Sequence, residues 1–124
     1  MIQADQQVCS VYNALQLKEF ELPQMSLMYY QKLSNKLVFG RNSNNVLCSA
    51  YTSDELLNQF PYPIEKDGYT YDLTIRPLKY DFEIRLEGNQ IDAEKIFYKK
   101  TNKSLADGLA HLLIHLYELE FFKS

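Results

Sequence analysis

The clearest pattern of hydrophobic and polar positions runs from Tyr69 to Leu86. Apolar and polar side chains alternate along this stretch, and the alternation is interrupted only at Pro77-Leu78. A period of two is typical of strands that have one buried face and one solvated face. The pattern predicts two antiparallel strands, followed by a turn at Gly88-Asn89 and a third strand from Glu94 to Lys99.

A helical pattern covers the C-terminal part of the chain. Ser104 is suited to cap the helix, and Asp107 falls in the first turn, where a negative charge favours the helix dipole. The buried stripe is predicted to consist of Leu105, Leu109, Leu112, Leu113 and Leu116. Gly108 lies within the helix and indicates either close approach to a neighbouring element or a tolerated glycine.

A second apolar flank runs beside the leucine stripe of the same helix and includes Ile114, Tyr117 and Phe121. One interpretation is that helices from the N-terminal half cover this flank within the same domain. The other is that the flank, together with Phe122, contacts another copy of the chain or a different protein, because large apolar patches are uncommon on monomers. The second interpretation makes Ile114, Tyr117, Phe121 and Phe122 candidate interface residues.

The N-terminal half predicts shorter elements. A helix is expected from the cap Ser10 to about Phe20, a hairpin from residues 26–33 and 36–40, and a third strand at residues 46–51. A second short helix begins at Thr52, which forms a capping-box spacing with Glu55. We therefore predict one α+β domain over residues 1–124, with an antiparallel sheet of about five or six strands, two short helices and the long C-terminal helix packed on one sheet face.

Charge and composition exclude several classes of protein. The chain has 13 basic and 16 acidic residues, a net charge of −3, which lacks the basic excess expected for binding duplex nucleic acid. Apolar runs such as Leu112–Ile114 are far shorter than the ~20 residues of a membrane helix. The first seven residues have neither the basic nor the apolar region of a secretory signal, so we expect a cytoplasmic protein that does not bind membranes.

Candidates for metal or redox chemistry are few. Cys9 and Cys48 are far apart in sequence and are predicted to be small buried side chains. His111 and His115 have the i, i+4 spacing of two helical ligands, and Glu118 lies on the same face, but the order of residues differs from known zinc signatures and no third ligand element is indicated. We assign no metal ligand and no cofactor, and we regard a metal-dependent enzyme on this face as the weakest hypothesis.

Other catalytic groups are also poorly supported. A hairpin centred on Pro77-Leu78 would place Asp72 opposite Glu83, which could form an acid/base pair or only a charged surface offset by neighbouring arginines. No nucleophile motif and no glycine-rich phosphate loop is present. We therefore assign no catalytic residue and expect a non-enzyme.

Tyrosine is unusually frequent, with ten residues in the chain. Most are expected to be strand residues, because aromatic side chains favour sheets. Exposed tyrosines beside arginines could instead hold an anionic, nucleotide-like ligand between ring and guanidinium. The candidate ligand-binding residues are Tyr29, Tyr30, Arg41, Arg76 and Arg85.

Four segments follow one another in an order that resembles a known group of proteins. They are Leu17-Lys18-Glu19, Pro23–Tyr30, Thr52–Leu57 and Ser104–Leu116, and together they span most of the chain. The pattern resembles small uncharacterised proteins carried by bacterial phages and prophages. The resemblance implies an accessory protein of a mobile element and carries no catalytic residues with it.

These observations leave two main hypotheses for function. The first is a non-catalytic phage-type accessory protein that acts by binding protein, either as a homo-oligomer or on a host factor. The second is a protein that binds or sequesters a small anionic ligand.

Overall fold

The long C-terminal helix lies at the centre of the protein. The computed structural model describes residues 8–40, 45–90 and 96–121. The helices are α1 (Val11–Glu19), α2 (Ser53–Leu57) and α3 (Leu105–Glu118), and the strands are β1 (Met28–Gln31), β2 (Leu37–Phe39), β3 (Val46–Ala50), β4 (Ile64–Lys66), β5 (Tyr69–Pro77), β6 (Phe82–Gly88) and β7 (Ile96–Asn102). Helix α3 packs on β6 and β7 on one side and on α1 and α2 on the other.

The strands form two antiparallel sheets. Their orders are β2-β1-β3 and β4-β5-β6-β7. Helix α1 also packs on β3, so α1 lies between the smaller sheet and α3. This arrangement explains the abundance of apolar residues on α3, because the helix is covered from two directions. Its buried residues are Ala106, Gly108, Leu109, Ala110, Leu112, Leu113, Ile114 and Leu116.

The predicted α+β class is confirmed, with seven strands among the described residues rather than five or six in one sheet. The additional strand β4 has only three residues, too few to show a period. The strand predicted from Glu94 to Lys99 is β7, which runs from Ile96 to Asn102, and residues 94 and 95 of the prediction lie outside the described residues. Among the described residues, no helix is both long enough and apolar enough to cross a bilayer.

The register between β5 and β6 differs from the prediction. Asp72 lies opposite Glu87, and Glu83 lies opposite Arg76. The prediction was wrong because the strands are joined by a longer loop at residues 78–81, in which the amide of Leu78 donates to the carbonyl of Asp81. A hairpin without a tight two-residue turn shifts the register, so Asp72 and Glu83 do not form a facing pair.

The N-terminal ends of α1 and α3 are joined by one carboxylate. Ser104 caps α3 by accepting a hydrogen bond from the amide of Asp107, as its sequence position predicts. Asp107 Oδ1 in turn accepts hydrogen bonds from the amide of Ser10, at 2.6 Å, and from Nδ2 of Asn13, at 3.0 Å. Because Ser10 is the N-cap of α1, Asp107 places negative charge at the N-terminal ends of two helices.

Two helices end in the same motif. After α3, the amide of Phe121 donates to the carbonyl of Leu116 and that of Glu120 to Tyr117, while Glu120 has a φ of +61°. After α1, Glu21 takes the equivalent left-handed conformation, with a φ of +64°. This is the Schellman arrangement, which turns the chain back over the end of its helix.

Gly108 marks the closest approach between α3 and the larger sheet. A Cβ atom at this position would lie far inside van der Waals contact of Cδ1 of Ile84 and 3.4 Å from Cβ of Asn102. Of the two explanations for this glycine, the structure supports close approach of a neighbouring element.

Cys9 and Cys48 are both free and buried, as the sequence predicts. Burial raises the pKa of the Cys9 thiol to about 12 and that of Cys48 to about 11. The thiolate is the reactive form, so both side chains should be inert in the folded protein.

We therefore expect no rapid reaction of the native protein with Ellman's reagent at pH 8. Unfolding in guanidinium chloride should release both thiols, since it exposes them and restores their ordinary pKa values. Reaction of the folded protein at the rate of free glutathione would contradict the burial described above.

Candidate functional site

An open cleft lies where the β4-β5 hairpin, the start of β7 and the end of α3 meet. Its volume is about 470 Å³, and it is lined by Lys66, Asp67, Tyr69, Tyr71, Phe97, Leu119 and Phe121. We call it the aromatic cleft. Its volume falls in the range of ~300–1,000 Å³ that is typical of ligand sites, and four aromatic rings supply most of its wall.

The hairpin residues are positioned by a tight turn. Lys66 pairs with Tyr69 across Asp67-Gly68, and the two turn residues have φ values of +54° and +84°. An Asp-Gly pair with both φ angles positive is the preferred two-residue connection of a β-hairpin. The turn therefore holds Lys66 and Tyr69 side by side at the rim of the cleft.

The Schellman motif at the end of α3 places Phe121 in the opposite wall. Lys66 Nζ donates a hydrogen bond to the carbonyl of Leu119, the C-cap of α3, and lies 5.3 Å from the centre of the Phe121 ring. A lysine at this position neutralises the partial negative charge of the helix end and also makes a cation–π contact. Lys66 thus fixes the end of α3 against the hairpin.

A β-bulge brings Phe97 into the same cluster. The register between β6 and β7 shifts between Leu86 and Glu87. Next to this irregularity, the rings of Phe97 and Tyr98 both approach His115 of α3, at 6.4 and 5.3 Å between centroids. Strict alternation would direct these two consecutive side chains to opposite faces, so the bulge adds an aromatic ring to the helix side of the sheet.

Three rings in the cleft contact one another directly. The Phe97 centroid lies 5.1 Å from that of Tyr71 and 5.3 Å from that of Phe121, and Tyr71 and Phe121 are 5.9 Å apart. The rings are tilted or edge-to-face, the arrangements that aromatic quadrupoles favour. Such a wall offers ring faces and edges to an apolar guest.

The predicted interface residues are divided by the structure. Ile114 is only 6% exposed, so its prediction as a contact residue is wrong: the chain's own elements cover it. Tyr117 is half-buried and stacks on Phe20 at 5.0 Å, so α1 covers much of its ring. Phe121 is half-buried and lines the aromatic cleft. Phe122 lies outside the described residues.

The predicted ligand-binding residues do not form one site. Tyr29 and Tyr30 are buried in the smaller sheet, and the Tyr30 hydroxyl donates to the carbonyl of Cys9, so neither ring can stack on a ligand. Arg76 is exposed on the larger sheet. Arg85 is paired with Glu83 at 2.7 Å and with Glu87 at 2.9 Å, which neutralises it. Arg41 lies outside the described residues.

The histidine face of α3 was the weakest candidate in the sequence. His111, His115 and Glu118 border a smaller, polar cavity. Across the described ranges, no group of three or more His, Cys, Asp or Glu side chains is close enough to hold a metal ion.

Sequence analysis found only Phe121 among the residues of the aromatic cleft. Asp67-Gly68 was an available signal, since this pair between Ile64–Lys66 and Tyr69 is typical of a hairpin. No comparable signal marks Phe97, whose position depends on the bulge. Comparison of the chain with protein-family models, with curated proteins and with solved structures gave no match.

Proposed function

We propose that this chain is a non-catalytic binding protein and that the aromatic cleft receives an apolar side chain of a protein partner. The observation that carries the proposal is the cleft itself, about 470 Å³ in volume and walled by Tyr69, Tyr71, Phe97 and Phe121. Aromatic pockets of this kind are typical anchoring points of protein interfaces, where one or two buried side chains supply most of the binding energy.

Charged residues at the rim of the aromatic cleft would surround the apolar side chain of the partner. Lys66 and Asp67 supply one positive and one negative charge beside the apolar wall. An apolar centre with a charged rim is the usual anatomy of a protein interface. In line with the sequence resemblance, we propose that the partner is a host protein and that the chain is a phage-type accessory factor.

A random peptide library selected against the wild-type protein tests this proposal. We expect the enriched peptides to share one large apolar residue, and we expect Phe121→Ala to weaken their binding at least about tenfold, because truncating an aromatic anchor costs ~2 kcal/mol or more. The measurement is the dissociation constant by calorimetry or fluorescence polarisation.

Tyr80→Ala is the matched control, because Tyr80 is 79% exposed on the β5-β6 loop and does not line the cleft. The Tyr80→Ala protein should bind the peptides with the same dissociation constant as the wild type. If no peptide is enriched, or if the enriched peptides bind Phe121→Ala and wild type equally, the proposal fails. Light scattering of the purified chain measures its mass in solution. A dimeric mass that is lost in Phe121→Ala would show that the occupant of the cleft is a second copy of the chain.

A further inference from the structure

A second cavity lies between α1, β7 and α3. It has a volume of about 180 Å³ and is lined by Gln16, Tyr98, Lys100, His111, Ile114, His115 and Glu118. We call it the polar groove. At this volume the groove is too small for most drug-sized ligands but can hold a small ion and its hydration water.

Residues from three elements that carry hydrogen-bond donors line the groove. Helix α1 contributes Gln16, β7 contributes Tyr98 and Lys100, and α3 contributes His111 and His115. Buried Ile114 completes the lining. Tyr98 and Lys100 are two residues apart on a strand, and His111 and His115 are four apart on a helix, so each pair can face the same cavity.

These donors are not used by the rest of the described chain. Among residues 8–40, 45–90 and 96–121, no hydrogen bond involves the side chain of Gln16, Lys100 or His111, and the two ion pairs are both made by Arg85. Lys100 therefore makes no ion pair with any carboxylate of the described residues. Glu118 is the one carboxylate in the lining of the groove.

We propose that the polar groove binds a tetrahedral oxyanion of the phosphate class, either free or as the terminal group of a small ester. Lys100 supplies the fixed positive charge, and Gln16, Tyr98 and the two imidazoles supply directional hydrogen bonds to the oxygens. The site is independent of the aromatic cleft and uses none of the tyrosines and arginines that the sequence suggested for an anionic ligand.

The positive charge of Lys100 acts on His111 across the groove. Burial and the charge of Lys100 lower the pKa of His111 from the ordinary value, while Asp107 on the same helix opposes the shift. The groups around the groove are Lys100 and Tyr98 of β7, Gln16 of α1, and His115 and Glu118 of α3. A bound anion would stabilise the imidazolium, so binding should raise the pKa of His111, and affinity should increase as the pH falls and the imidazole becomes protonated.

Sulfate is a suitable first probe, because it does not titrate in this pH range. The chain has two histidines, so their imidazole resonances can be followed individually by NMR during titration with sulfate at constant ionic strength in chloride. We expect both resonances to shift with saturation, and more strongly at pH 5.5 than at pH 8. Inorganic phosphate and phenyl phosphate then distinguish the source: equal affinity indicates the free ion, and tighter binding of phenyl phosphate indicates an ester.

Neighbouring lysines provide a matched pair of variants. Lys100→Gln should weaken sulfate binding about tenfold. Lys99→Gln removes the same charge from the next residue, which lies opposite Arg85 and does not line the groove, and should leave binding unchanged. Glu118→Gln should strengthen binding about threefold by removing the repulsive carboxylate.

The proposal is overturned if sulfate shifts the two histidine resonances no more than chloride does. It is also overturned if the two lysine variants bind equally, because the effect would then be one of net charge. Failure of peptide binding at the aromatic cleft has no bearing on these outcomes, since Phe121 does not line the groove.

Discussion

Replacing Asp107 by alanine is expected to lower the free energy of unfolding by about 3 kcal/mol. Oδ1 of this residue accepts hydrogen bonds from the Ser10 amide and from Asn13 Nδ2, so truncation removes two charge-assisted bonds at once. It also leaves two donors of α1 unpaired, and Asn13 is itself buried. The measurement is urea unfolding followed by circular dichroism.

Two variants separate this effect from a general loss of charge. Asp107→Asn retains an acceptor oxygen and should lose only about 1 kcal/mol. Asp72→Ala removes an exposed carboxylate that lies opposite Glu87 and should change stability by less than about 0.5 kcal/mol. Equal stabilities of the Asp107→Ala and Asp72→Ala proteins would show that the carboxylate does not join the two helices.

Gly108→Val is expected to destabilise the protein by about 3 kcal/mol. Valine has a slightly better helix propensity than glycine, so a change on an isolated helix would be mildly stabilising. Here the added atoms meet Cδ1 of Ile84, a side chain that is buried on β6. Overpacking of this kind costs ~1–3 kcal/mol, occasionally more.

A double-mutant cycle with the smaller substitution tests the cause. Gly108→Ala should destabilise the wild-type protein less than valine does, because it adds one carbon. In an Ile84→Val background, which lacks the clashing Cδ1 atom, the same substitution should become neutral or stabilising, since alanine favours helix by ~1 kcal/mol. An unchanged effect in both backgrounds would rule out close approach to Ile84 as the reason for the glycine.

The elements that sequence analysis predicted correctly carry local signals. Ser10, Thr52 and Ser104 each accept the capping hydrogen bond expected from their position, and Thr52 forms the complete capping box with Glu55. The alternation along β5 and β6 and the leucine stripe of α3 are also local. Each signal depends on residues within a few positions of one another, so one sequence is sufficient to detect it.

The features that sequence analysis missed depend on contacts between distant segments. Gln24 is an example: its Oε1 accepts from the Ser49 amide and its Nε2 donates to the Tyr51 hydroxyl, so the side chain satisfies one backbone donor of β3. Nothing near Gln24 in the sequence indicates this role. Separation of the strands into two sheets is equally non-local, because it depends on α3 being covered from two sides.

The candidate sites also combine residues that local sequence patterns reveal with residues that only the fold brings together. The sequence placed Phe121 at a binding surface from helical periodicity, but it could not place Phe97 beside it, because the bulge between Leu86 and Glu87 determines that position. His111 and His115 were recognised as a pair, yet their neighbour Lys100 is contributed by another element. A ligand class depends on such neighbours, which explains why the sequence suggested only a metal for this histidine pair and assigned the anionic ligand to other residues.

Strand β7 forms one border of the larger sheet among the described residues, and Lys99 and Lys100 are both exposed there. Two molecules meeting along this border would bring their ammonium groups together, and the resulting repulsion discourages intermolecular strand pairing. Dissolved salt limits the reach of that repulsion to ~10 Å at 0.1 M and ~3 Å at 1 M. We therefore expect the concentrated protein to aggregate less in dilute buffer than at high salt, because high salt screens the repulsion between the lysines of two molecules.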